Sequence, residues 1–407
     1  MTLKVDTDPA EAGFDARRLE RIDRHFARYV DDGRLPGWHI VVSRHGTVVH
    51  SSRAGHRDVE TGLPVEADTL WRIFSMTKPV TSVAAMILFE EGAFDLNDPI
   101  SRWLPEFAEP RVYVKGSALR PVTEPATEPI RVWHLLSHTS GLTYGFHHAH
   151  PVDAMYRAAG FEWGAPAGMD LAACVETWAG LPLVFQPGSE WNYSVSTDVL
   201  GRLVEVVSGQ SLDAFLRERV FTALGMTDTS FGVDDERLGA LYVPEPGTQR
   251  ALRNDAFGRS GRGRPDYWSG GGGLVSSAED YHRFTQFLLR GGELDGVRLL
   301  SPRTVTLMSS NHLPGGVDLE SYGRPLFAEM PFDGYGFGLG FSVLIDPVKA
   351  KTLSTKGEYA WGGAASTAFW VDPATGVTAM FFTQLLPSST HPIRQELRNL
   401  VYQALVA

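Results

Sequence analysis

The chain has 407 residues and a mass of 44.7 kDa, which suits one large domain or two ordinary ones, and 43% apolar residues with 22 Phe, 12 Tyr and 10 Trp exclude disorder. Its 37 basic and 48 acidic residues leave a net charge of −11, a field that repels phosphate backbones and anionic lipid surfaces. Cys174 is the only cysteine, no apolar run is long enough to span a bilayer, and Met1 to Asp6 carries no apolar h-region, so the expectation is a soluble, cytoplasmic protein without an intramolecular disulfide.

Apolar positions at Phe14, Leu19, Ile22, Phe26 and Tyr29 predict a helix over 10–31, stopped by Asp31-Asp32-Gly33. Trp38 to Ser43 and Thr47 to Ser52 are β-rich runs separated by Arg44-His45-Gly46, a hairpin signature. From about 79 to 310 the periodic segments are mostly helical, with Pro/Gly-rich connections around 105–130, 143–170 and 242–268. Strands return at Phe337 to Ile345, Ser366 to Val371 and Val377 to Thr383, the last two joined by a turn over 372–376, and a closing helix places Ile393, Leu397, Leu400, Val401 and Ala404 on one face. Both chain ends therefore share one pattern. The simplest arrangement is an antiparallel sheet built from 1–80 and 270–407 and flanked by helices, with 81–269 as an inserted, mainly helical domain and a cleft between them.

Several chemistries lack their signatures. No Gly-x-Ser-x-Gly elbow occurs, and no Gly is followed by Lys as a P-loop requires. The alternation Gly334, Gly336, Gly338, Gly340 reads as a strand without the helix start that a dinucleotide site needs. His134, His138, His147, His148 and His150 lack the neighbouring glutamate and third ligand of a zinc site and read as hydrogen-bonded structural groups, so no metal and no cofactor is expected. Arg250, Arg253, Arg259, Arg262 and Arg264 have neither helical period nor interleaved aromatics and read as a solvated loop; no nucleic-acid or membrane partner is expected. Gly270 to Gly273, with no basic partner nearby, read as a place of close backbone packing.

Ser75-Met76-Thr77-Lys78 remains. Val80, Val83, Ala84, Ile87 and Leu88 continue it at helical period up to Gly92, and Pro79 is tolerated only in a first turn. Ser75 therefore stands at a helix start. Residues three apart share a helix face, so the Lys78 amine can reach the Ser75 hydroxyl, and the helix dipole favours negative charge developing there. A serine needs a base to act as a nucleophile, and lysine serves only where burial or a neighbouring charge favours its neutral form. The plain alternative is Ser75 as a helix cap with a solvated Lys78.

Phe74 to Lys78 resembles the Ser-x-x-Lys element of serine β-lactamases and penicillin-binding proteins. Leu135 to Leu142 is similar to a structural segment these enzymes carry next, Trp191-Asn192-Tyr193-Ser194 to their Tyr-x-Asn element, and Trp361-Gly362-Gly363 stands where they have Lys-Thr-Gly. Position 195 is Val rather than Asn and 361 is Trp rather than Lys, so the charge-assisted contacts to an anionic substrate are absent. The set looks like the family VIII carboxylesterases, with fungal acyltransferases of statin side chains as relatives.

That resemblance implies a β-lactamase-like fold and a serine carboxylesterase whose partner is a small neutral, short-chain ester. Ser75 would carry the acyl group, Lys78 and Tyr193 would share the proton with the choice of base left open, the amides of Ser75 and Ala364 would form the oxyanion hole, and Trp361, Gly362 and Gly363 would bind substrate. A β-lactamase or D,D-peptidase activity, acyl transfer, or a non-catalytic binding protein are the alternatives on the same residues.

Overall fold

The computed structural model describes residues 3–258, 260–324 and 332–407. Asp15 starts the first helix by accepting from the Arg18 amide at 3.1 Å, and α1, Ala16–Asp31, buries Leu19, Ile22, Phe26 and Tyr29. It begins later than its apolar stripe because the chain from Pro9 folds into a turn, the Phe14 amide donating to the Pro9 carbonyl at 2.8 Å. β1, Gly37–Arg44, and β2, Thr47–Asp58, are joined by His45 and Gly46 at φ 50° and 90°, two positive values that match the twist of a tight hairpin.

The main sheet continues with β3, Leu63–Pro64, β4, Tyr335–Phe337, β5, Ser342–Leu344, β6, Tyr359–Gly362, β7, Ala368–Asp372, and β8, Val377–Phe382. Its eight strands run β4-β5-β6-β7-β8-β1-β2-β3, and every neighbouring pair is antiparallel. The two ends of the chain meet in the β8–β1 pair, in register from His39 opposite Phe382 to Arg44 opposite Val377.

The single strand expected over 337–345 is instead two. Gly338 donates to the Phe341 carbonyl at 2.8 Å and Gly340 takes φ 99°, so the chain reverses between β4 and β5. A Cβ on Gly340 would lie 2.3 Å from Ser82 Oγ, so both conformation and space demand glycine there. Two of the expected connections are also partly ordered as β-structure: Arg111–Ser117 pairs with Arg120–Pro125, and Tyr242–Pro244 with Ala251–Arg253. The β-branched and aromatic residues Val112, Tyr113, Val122 and Thr123 outweigh the prolines and charges around them.

Strand alternation divides the sheet's two faces. Ala379 and Phe381 of β8 pack with α1 and a closing helix, while Met380 and Phe382 join a second cluster on the opposite face. That second cluster runs on without a break through α2, Thr77–Glu90, α3, Ser196–Ser208, and α4, Ala278–Leu289. The closing helix is α5, Ile393–Tyr402. Every residue of α2 from Thr77 to Leu88 is buried, which makes it the central helix of this layer.

Candidate active site

Phe74–Met76 forms one tight turn that leads directly into α2, and Pro79 falls in the first turn of that helix, where its missing N–H breaks no bond. Phe74 has φ 43°, a left-handed conformation that costs a non-glycine residue about 1–3 kcal/mol. The surroundings hold it there. Met76 donates to the Ile73 carbonyl at 3.0 Å, the Tyr281 hydroxyl donates to the Met76 carbonyl at 2.9 Å, and the Leu274 amide donates to Thr77 Oγ1 at 3.1 Å. Ser75 is thereby presented, half-buried, at the mouth of α2.

Lys78 is 2% exposed, and its Nζ reaches Ser75 Oγ at 3.3 Å, Tyr144 Oη at 3.0 Å and the Gly271 carbonyl at 2.7 Å. An ammonium has three N–H donors, and three acceptors meet it. Gly271 comes this close because it has no side chain: a Cβ would sit 2.4 Å from Asp198 Oδ2 and 3.1 Å from Tyr144 Oη. Asp198, in the first turn of α3, accepts from the Gly271 amide at 3.0 Å and from Ser269 Oγ at 2.6 Å, so it fixes the glycine segment that in turn holds the lysine. Burial pushes the Asp198 carboxyl up from its usual range, against the pull of Lys78 and these two hydrogen bonds. Burial, reinforced by Asp198 and Tyr193, pushes the Tyr144 phenol well above its ordinary value, so it stays protonated at neutral pH.

Tyr193 lies on the other side of the amine, with Lys78 Nζ 4.4 Å from the centre of its ring. Its hydroxyl is buried and has no hydrogen-bond partner among the described residues. The hydroxyl bonded to Lys78 is that of Tyr144, which lies two residues past the Leu135–Leu142 segment, at the start of the connection expected over 143–170, where no motif marks it. Asp198, likewise, carries in the sequence only the signature of a helix start.

The histidines hold this architecture together. His147 Nε2 donates to the Tyr193 carbonyl at 2.6 Å, which places its proton on that nitrogen. His138 Nδ1 lies 3.2 Å from Ser194 Oγ, and burial pushes both rings below the ordinary histidine value. His134 Nδ1 accepts from the Arg131 amide at 3.0 Å, His150 Nδ1 from the Val152 amide at 3.2 Å, and His148 pairs with Glu162 at 3.3 Å.

A cavity of about 1080 Å³ opens over Ser75 and is lined also by Tyr193, Val195, Trp361, Gly362, Gly363 and Ala364. The Trp361 ring packs 5.4 Å from Tyr193 and 5.3 Å from Phe337, and its indole N–H is buried without a partner among the described residues. The space beside the two glycines is filled by protein: a Cβ on Gly362 would meet the Arg394 guanidinium at 2.3 Å, and one on Gly363 the Ile73 carbonyl at 2.3 Å. These glycines let the end of β6 close onto the turn that carries Ser75. Of the arginine-rich loop, Arg253 pairs with Asp58 at 2.8 Å and Asp255 at 2.7 Å, Arg264 lies over the Trp268 ring, and Arg262 lines the cavity; Arg259 is outside the described residues.

Residues 22–403 match the beta-lactamase family model. The chain is 38% identical to protein Rv1367c of Mycobacterium tuberculosis over 88% of each chain, and 32% identical to esterase EstB of Burkholderia gladioli over 97% of this chain and 98% of that one. Among solved structures it is similar to EstCE1, a hydrolase with promiscuous acyltransferase activity, at a TM-score of 0.79 and 28% identity over 95% of this chain and 98% of that chain.

Proposed function

Because the chain belongs to the beta-lactamase family, with its antiparallel sheet flanked by helices, we propose that it is a serine carboxylesterase acting on neutral, short-chain esters through an acyl-enzyme on Ser75. The observation that carries this reading is the Lys78 amine, buried, 3.3 Å from Ser75 Oγ and held otherwise by a carbonyl and a phenol. In this mechanism the amine keeps its N–H bonds to Gly271 O and Tyr144 Oη and takes up the Ser75 proton. Ser75 Oγ then attacks the ester carbonyl, the proton passes from Lys78 to the departing alkoxide, and water cleaves the acyl-enzyme by the reverse relay. The amides of Ser75 and Ala364 stabilise the oxyanion, a contribution worth about 3–4 kcal/mol per donor in comparable sites. The Tyr193 hydroxyl, without a hydrogen-bond partner among the described residues, supplies a further proton donor at the cavity wall.

The apolar groups at positions 195 and 361, which offer a carboxylate no charge-assisted contact, support a neutral substrate, with Arg262 among the charged groups the same cavity wall presents. Acyl transfer is the second reading, supported by the similarity to EstCE1 and by a cavity roomy enough for an acceptor alcohol. The test is hydrolysis of p-nitrophenyl acetate beside nitrocefin. Ser75→Ala should abolish ester turnover with thermal unfolding nearly unchanged, and a serine-reactive phosphonate should label native protein but not the variant. A preference for nitrocefin, or full activity in Ser75→Ala, overturns the reading.

A further inference from the structure

From Lys78 outward, four aromatic rings form a continuous ladder along one wall of the cavity. Tyr144, whose hydroxyl is bonded to the amine, stacks on Phe146 with centroids 4.6 Å apart and planes at 21°. Phe146 stacks on Trp163 at 5.2 Å and 11°, and Phe257 closes the outer end with its edge toward Trp163 at 5.6 Å and 83°. All four line the cavity, and Trp163 is 56% exposed, an unusual position for the largest apolar side chain. The rungs come from chain segments more than 90 positions apart, Tyr144 to Trp163 and Phe257, so no local pattern accounts for their alignment.

We infer that this ladder is a subsite for a flat aromatic or fused-ring group on the alcohol side of the ester, an inference that rests on the esterase reading above. The side is set by the chemistry of the amine. In acylation the bond between the carbonyl carbon and the alcohol oxygen breaks, and the proton taken from Ser75 ends on that oxygen, so the leaving alcohol lies beside Lys78 and Tyr144, where the ladder begins. A planar ring laid along this stack covers the ring edges in edge-to-face contact and excludes water from them, whereas a small alkyl alcohol touches only the innermost rung. The subsite therefore raises selectivity for aryl esters.

The test compares kcat/KM for three esters, with Ser75→Ala as control: vinyl acetate without a ring, 2-naphthyl acetate with the ring on the alcohol, and vinyl benzoate with the ring on the acyl group. Trp163→Ala and Phe257→Ala should each lower the ratio of 2-naphthyl acetate to vinyl acetate about five- to tenfold, chiefly through KM, while the ratio of vinyl benzoate to vinyl acetate stays within twofold of native. A structural role would lower all three together and leave the ratios unmoved, which overturns the subsite, as does a loss confined to vinyl benzoate. If Ser75→Ala still cleaves these esters, the esterase reading itself falls; if it is inactive and the ratios do not move, only the subsite falls.

Discussion

Lys78 and Arg398 are both buried cations, 2% and 5% exposed, and both lie over an aromatic ring, Tyr193 at 4.4 Å and Trp370 at 5.0 Å. They differ in what neutralises them. Arg398, on α5, meets Glu358 at 2.9 Å, and Glu358 also accepts from Ser354 Oγ and from the Tyr402 hydroxyl at 3.2 Å. Burial works against the Arg398 charge, but Glu358 outweighs it and holds the guanidinium above its ordinary value. Lys78 has two hydroxyls and a carbonyl, while the neighbouring Asp198 commits Oδ1 to Ser269 and Gly271. A buried cation with its own carboxylate is locked into the scaffold, whereas Lys78 has no carboxylate oxygen among its hydrogen-bond partners in the described residues.

Removing the amine should have the largest effect. Lys78→Met should lower kcat/KM for p-nitrophenyl acetate on the order of 10⁴-fold, with unfolding by heat little changed. Retained turnover would mean that the two cations do not differ in role. Glu358→Gln should do the opposite: it leaves Arg398 charged and buried without its counterion, at about 3–5 kcal/mol of stability, read as a lower Tm or urea midpoint. The folded fraction should keep kcat/KM within about threefold of native. A large loss of activity at unchanged stability would break the contrast from the other side.

A third variant extends the comparison to a group buried in its neutral form. Burial, with Arg53 adding to it, pushes His39 down to about 4 from an ordinary value of 6.5. Because the folded value is depressed, the neutral ring contributes its full stability above pH 6.5, and that stability is lost as pH falls through this window toward 4, the unfolded chain taking up the proton first. At pH 5 the loss is about 2 kcal/mol. His39→Asn should therefore lose less Tm than native protein between pH 7 and pH 5, and equal slopes would refute the assignment.

The chain's local chemistry was legible wherever a repeat of one residue type reports a single environment. The stripe Leu19, Ile22, Phe26, Tyr29 and the short β-rich runs of β1 and β8 announced their elements, and Ser75 and Lys78 announced a shared face because their spacing is that of one helical turn. Gly338 and Gly340 misled: alternation of small residues mimics a strand, and only Ser82 pressing against Gly340 reveals a reversal. Tyr144 and Asp198 had no such signature: Tyr144 lies in a loop between Thr143 and Gly145, and Asp198 follows Ser196-Thr197 as any polar residue at a helix start would.

What the sequence determined by itself is thus the antiparallel sheet drawn from both chain ends and a serine hydroxyl poised one turn before an amine. What only the tertiary structure decided is the company that amine keeps. Its partners Tyr144 and Gly271 lie 66 and 193 positions away, and no periodicity within one segment encodes which distant carbonyl or phenol will close over a buried nitrogen. That choice is made by packing, where a glycine without a side chain lets one backbone approach and an aspartate already engaged elsewhere leaves the lysine with neutral partners.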